Sequence, residues 1–180
     1  MTQYARPDSN IDVGDWTDQD TTGAASYTII DQDPEGTPDC SYYIVAADGG
    51  ANVTAKFGLQ NVTDPESASD HKVVVRAAGM VMMDAIPQLT YALYQGASTQ
   101  IAAKTFTPGD AYGVGFANNT LTLNSTQANS ITDYTDLRIW VTLVSGAGSM
   151  DEDWVCQAWF ECPDASAAVV THPFLIFVDC

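Results

Sequence analysis

A chain of 180 residues is enough for one domain with one core, and folding would remove roughly 70% of the surface its unfolded form exposes. Charge is its outlying property, with 6 Lys and Arg against 23 Asp and Glu, a net of −17. Such a field repels phosphate backbones and anionic lipid headgroups, which argues against nucleic-acid binding and peripheral membrane attachment, and no apolar run is long enough to cross a bilayer. The acidic face is expected to look toward solvent, where it keeps the protein soluble; a medium of high ionic strength would also tolerate it. Val, Ile, Thr, Tyr and Ala are abundant, Gly and Pro fall at loop-like intervals, and no heptad is present, so strands are favoured over helices.

Residues 1–26 are polar, with Pro7, Gly14 and Gly23, and read as an extended arm with one apolar anchor, Trp16. That Trp either plugs an edge of the fold or rides on an arm that reaches a neighbouring subunit. The opening "MTQYARPDSN" has neither a basic start nor an apolar segment, so no secretory signal is expected and the chain is expected to accumulate in a cytoplasm. Residues 27–30 suggest a short strand, ended by the turn-rich "DQDPEGTPD". Strands are expected over 41–46 and 51–59, joined as a hairpin through "ADGG", since Asp48-Gly49 permits positive φ.

Residues 71–78 alternate, Val73 and Val75 against Lys72, Val74 and Arg76; Val74 on the polar side implies that this side is covered. "GMVMMDAIP" (79–87) does not alternate, and its Met80, Met82 and Met83 are either core filler or a contact surface suited to flexible thioethers. Strands over 89–95 and 100–106 form a hairpin through "GAST", and a loop over 109–115 is expected to expose Tyr112. Residues 120–143, "TLTLNSTQANSITDYTDLRIWVTL", then read as strand, short helical corner, strand. Ser125 is the expected cap of one turn over 126–129, and Leu137, Ile139, Val141 and Leu143 share one face while Arg138, Trp140 and Thr142 share the other. Beyond "GAGSMDED" lie an aromatic strand over 154–161 and the apolar run "PFLIFVDC", a strand buried within the domain or docked by edge addition onto another chain.

The corner "TQANSITDYTDLRI" resembles one that recurs in small all-β structural proteins of tailed bacteriophages, and "RPDSNIDVGDW", "YTIIDQDPEGTPDCSYYI", "FGLQNVTDPESASDHKVVVRA" and "LTYALYQGASTQIAAKT" match that pattern in order. The resemblance covers about residues 6–143, with Cys40 and the tail after Ser145 departing from it. It implies a virion component, assembled in the host cytoplasm, with a β-sandwich fold.

The expected fold is therefore all-β: a single-domain antiparallel β-sandwich of jelly-roll type over 27–180, eight to ten strands and one short helical turn, preceded by the arm over 1–26. The first functional expectation is a non-enzymatic capsid decoration or cement protein on the capsid surface, bridging subunits of the major capsid protein, itself a homotrimer at three-fold positions. Exposure logic nominates Tyr4, Arg6, Trp16, Met80, Met82, Met83, Phe174 and Phe177 as its contacts. The alternative is a tail- or fibre-associated module that stacks Tyr112, Trp154 and Trp159 on host sugars.

No cofactor is implied. A Cys–His nucleophile is formally available from His71 or His172, but neither stands in a catalytic motif. "DQDPEG" (Asp31, Asp33, Glu35) and "DPESASD" (Asp64, Glu66, Asp70) bring acids together as calcium loops do, though loop solubility explains them equally and neither has the EF-hand pattern. Of Cys40, Cys156, Cys162 and Cys180, none has zinc-site spacing; free buried thiols are expected, and a Cys156–Cys162 bridge would need a turn between residues about 20 Å apart on an unbroken strand.

Overall fold

The computed structural model describes residues 1–19, 26–37, 39–47, 51–80, 88–109, 115–144 and 152–165. Eleven strands and two short helices lie among them: β1 (Thr2–Ala5), β2 (Pro7–Asp12), β3 (Thr17–Asp18), α1 (Tyr27–Ile30), β4 (Ile44–Ala47), β5 (Val53–Leu59), β6 (Lys72–Met80), β7 (Gln88–Gln95), β8 (Thr99–Phe106), β9 (Ala117–Thr122), α2 (Ser125–Asn129), β10 (Leu137–Val144) and β11 (Glu152–Pro163). They form two antiparallel sheets packed as a jelly-roll β-sandwich. One sheet runs β3-β4-β11-β6-β9, with β1 also paired to β11, and the other runs β2-β5-β10-β7-β8.

Alternation explains the sandwich. In β10, Leu137, Ile139, Val141 and Leu143 are buried and the residues between them are half-exposed. Ala55, Phe57 and Leu59 of β5 and Leu89, Tyr91 and Leu93 of β7 meet them from the same sheet, and Val73, Val75, Ala158 and Phe160 close the core from the other. Val74, on the outward side of β6, is only 4% exposed, so that side is covered as its sequence implied.

The N-terminal stretch does not stand off as an arm. Its first two strands join opposite sheets, β1 beside β11 and β2 beside β5, and Gly14 at φ +52° turns the chain so that Trp16 enters the core. A side chain at Gly14 would press on the Thr54 carbonyl, 2.8 Å from the position of a Cβ. Residues 27–30 form a helical turn instead of a strand, with Ile30 fully buried. The expected hairpin over 41–59 does not form either: β4 pairs with β11 and β3, whereas β5 pairs with β10 and β2. Both strands have the right period, but local period does not choose a partner. The expected hairpin of β7 with β8 does form, turning at Gly96 (φ +64°).

The helical corner is capped one residue earlier than expected. Asn124 accepts the Gln127 N–H at 2.9 Å while the Gln127 side chain accepts the Asn124 N–H at 2.9 Å, a reciprocal capping box.

In β11 the register shifts between Val155 and Gln157, so Cys156 is the extra residue of a bulge. The bulge aims its sulfur at Cys40, and the two form a disulfide, which corrects the expectation of free thiols; Cys162 is buried and unbridged. Around the bridge, the Gln157 amide donates to the Gln32 and Asp33 carbonyls, each at 3.2 Å, and Gln32 clasps Asp39 through two bonds of 2.6 Å. The segment over 31–42 is thus pinned to β11. Peptide mapping without reduction is expected to recover a Cys40–Cys156 cross-linked peptide, and a Cys40→Ser, Cys156→Ser variant is expected to lose about 2–4 kcal/mol in chemical denaturation, because the bridge closes a long loop in the unfolded chain.

Candidate functional site

The period of two that buries one side of β10 presents the other to solvent, and its registered neighbours extend that display into three rows across the sheet. In the first row Thr54 (β5), Thr142 (β10), Thr90 (β7) and Thr105 (β8) stand opposite one another. Their hydroxyls bond in pairs, Thr54 to Thr142 at 2.8 Å and Thr90 to Thr105 at 2.7 Å. Lys56, Trp140, Ala92 and Ala103 make the second row, and Gly58, Arg138, Tyr94 and Gln100 the third.

An aromatic pair bridges the second and third rows. Trp140 stacks on Tyr94 with ring centroids 3.9 Å apart and planes 18° from parallel, and Lys56 Nζ lies 5.0 Å from the indole centroid. The Tyr94 hydroxyl donates to Gln100 Oε1 at 2.8 Å, which fixes the ring from its far end. The indole Nε1 is buried without a hydrogen-bond partner among the described residues. Both cations of this face carry a carboxylate: Lys56 pairs with Asp12 at 2.9 Å and Arg138 with Asp136 at 3.0 Å. The Lys56 hydrogen bond and the Gly14 N–H hold the Asp12 carboxyl below the usual range, so the pair stays ionised through neutral pH.

The other sheet's aromatics are more engaged. Trp154 stacks on Tyr43 at 4.6 Å beside Phe116 and donates to Glu152 at 2.9 Å, while Trp159 is 6% exposed with its indole nitrogen 3.4 Å from Glu161. Tyr112, the third ring of the expected sugar-stacking trio, lies outside the described residues. Of the nominated capsid contacts, Trp16 and Met80 are buried, at 2% and 7% exposure, rather than displayed. Trp16 donates to the Val53 carbonyl and takes the edge-plug role. Tyr4 and Arg6 are half-buried, Tyr4 across from Glu161 and Arg6 donating to the Asp31 carbonyl at 2.9 Å; Met82, Met83, Phe174 and Phe177 lie outside the described residues. Trp140 and Tyr94 were missed as a site, although Trp140 stood on the polar face of its strand in the sequence.

Among the described residues the potential nucleophile and base are both committed elsewhere; His172 and Cys180 lie outside them. His71 is fully buried, its Nδ1 2.8 Å from the Ser69 carbonyl and its Nε2 2.8 Å from the Tyr134 hydroxyl. Burial, with Asp164 and Asp64 adding to it, pushes the Cys162 thiol up to about 12, so it stays protonated at neutral pH and offers no thiolate. Nor do the acidic loops build a cation site: Asp33 and Asp64 accept the N–H groups of Glu35 and Glu66, closing their own turns, and no group of three metal-ligating side chains converges among the described residues.

No protein-family model and no curated protein matches the chain. Among solved structures it is similar to the xylan-binding module CBM15, with 9% identity, 92% of this chain and 99% of that one covered, and a TM-score of 0.49. It is similar also to TmCBM61 in complex with beta-1,4-galactotriose (8% identity, 88% and 86% covered, TM-score 0.44) and to the C-terminal family 22 carbohydrate binding module of Clostridium thermocellum Xyn10B (13%, 87% and 91%, 0.39). The capsid-decoration expectation is corrected here: the three structures just named are carbohydrate-binding modules, and none of them is a capsid protein.

Alkaline stability follows from the buried acids. Burial raises Tyr91 above its ordinary value, Tyr134 to about 12 and Cys162 to about 12, so above pH 9 the unfolded chain gives up protons that the folded chain keeps. The stability these groups contribute is complete below their unfolded values and is lost as pH rises through 9 toward 12. Thermal midpoints are expected to fall over that window, and less steeply in Cys162→Ala; an identical slope in the variant would contradict the assignment.

Proposed function

We propose that this protein is a non-catalytic carbohydrate-binding module that takes its ligand on the solvent face of the β2-β5-β10-β7-β8 sheet. The observation that carries the proposal is the Trp140–Tyr94 stack standing beside a row of four threonines on one sheet face. A sugar ring has C–H faces that pack on aromatic surface and a rim of hydroxyls that need partners. An aromatic pair beside hydroxyl and amide groups supplies both, on strands rather than on loops. A rigid display of this kind spends little ordering entropy on binding.

The Cys40–Cys156 bridge suits a protein that works in an oxidising exterior. The sequence resemblance to tailed-phage structural proteins agrees with a tail or fibre component, a position in which such a module would meet glycans of the host surface.

A glycan array probed with the purified protein is expected to give carbohydrate binding that Trp140→Ala and Tyr94→Ala each weaken by about 2 kcal/mol or more, roughly 30-fold, with circular dichroism unchanged. Wild-type protein that binds no glycan, or variants that bind as well as wild type, would sink the proposal.

A further inference from the structure

Resting on that reading, we infer that the ligand is an uncharged, extended glycan lying across the strands, between the threonine row and the Trp140–Tyr94–Gln100 side. The direction comes from the register. Thr54, Thr142, Thr90 and Thr105 occupy four adjacent strands at one level, and their hydroxyls gather into two bonded pairs whose midpoints lie two strand spacings, about 9.6 Å, apart. That separation is close to the length of two pyranoses in an extended chain, which sets alternate sugars on the two pairs and three to four sugars along the row. A chain laid along a strand would meet a single threonine of the row.

The floor comes from side-chain size. In the middle row Lys56 and Trp140 are large on β5 and β10, whereas Ala92 and Ala103 are small on β7 and β8. Ala103 is exposed between Thr105 and Gln100, while Ala92 beside it is only 6% exposed, so the open floor of the middle row lies on β8, with Trp140 two strands away. Hydroxyl chemistry fits this placement as well. Each threonine pair uses one O–H donor between its members, which leaves one donor and three acceptor lone pairs for a ligand.

Charge sets the class. A polyuronate or sulfated glycan requires a cation that is not already neutralised, and both cations on this face have a carboxylate within 3.0 Å. Lys104 of β8 donates instead to the Thr120 carbonyl at 2.8 Å. With the chain at −17 overall, an anionic polymer would meet repulsion at long range and find no uncompensated partner at short range.

Titration calorimetry of the intact protein with neutral β-1,4-linked gluco-, xylo-, manno- and galacto-oligosaccharides of one to six units, and with oligogalacturonates of the same lengths, tests this. At least one neutral series is expected to bind more tightly with each added unit up to about four and then level off, without dependence on salt, and the oligogalacturonates not to bind. Ala103→Phe, at an exposed position where folding is not at stake, is expected to weaken binding at least tenfold by filling the floor. Tighter binding of the oligogalacturonates, a monosaccharide bound as well as the tetramer, or an Ala103→Phe variant of unchanged affinity would each overturn the inference while leaving carbohydrate binding intact. No binding to any member of either series would instead remove the proposed function and this inference together.

Discussion

The pleat of β10 is the constraint on which the rest of the molecule depends. Its inward residues, Leu137, Ile139, Val141 and Leu143, sit at the centre of one sheet and are fully or almost fully buried. A slip of one residue would exchange them for Arg138, Trp140 and Thr142 and place a guanidinium, an indole and a hydroxyl in the core. The register is therefore held by several apolar side chains at once, each worth about 1.5–3 kcal/mol when fully buried. Because β5 and β7 are registered against the same strand, the outward rows follow from it. The proposed binding face is the reverse side of the core, and its precision comes from core packing.

The second sheet solves a different problem. Its central strand β11 pairs with β6 along one edge and, at its two ends, with β4 and β1 on the other. The bulge at Cys156 lets the strand change register partway, and the residue it releases from pairing carries the disulfide. Gln157, next in the chain, holds the backbone of the 31–42 segment. That segment, which follows α1 directly, is fastened by covalent and polar contacts. His71 plays a related part at the corner after α2, joining the Ser69 carbonyl to the Tyr134 hydroxyl in a site fully closed to solvent.

Electrostatics separates the two scales of recognition. At long range the molecule is an anion, which discourages nucleic acids, acidic membranes and acidic polymers alike. At short range the proposed face is close to neutral, because Asp12 and Asp136 each sit on a cation. A neutral polyol is a ligand for which neither scale imposes a penalty, and its recognition then rests on stacking surface and hydroxyl geometry.

By itself the sequence determined the parts whose signals are local. Alternation marked strands over 51–59, 71–78, 89–95 and 137–143, the turn residues marked the hairpin partner over 100–106, and the corner at 125–129 was legible to within one residue of its cap. The same alternation already put Trp140 and Thr142 on the outward side of their strand. Only the tertiary structure decided which strands are neighbours: β4 beside β11 instead of β5, the first twelve residues divided between both sheets, and Cys40 bonded to a cysteine 116 residues away. Thr54, Thr90, Thr105 and Thr142 come from four separate stretches of chain and become one row only when three ladders fall into register. A period of two tells a strand which of its faces to bury, but packing and closure of the whole chain choose the strand beside it.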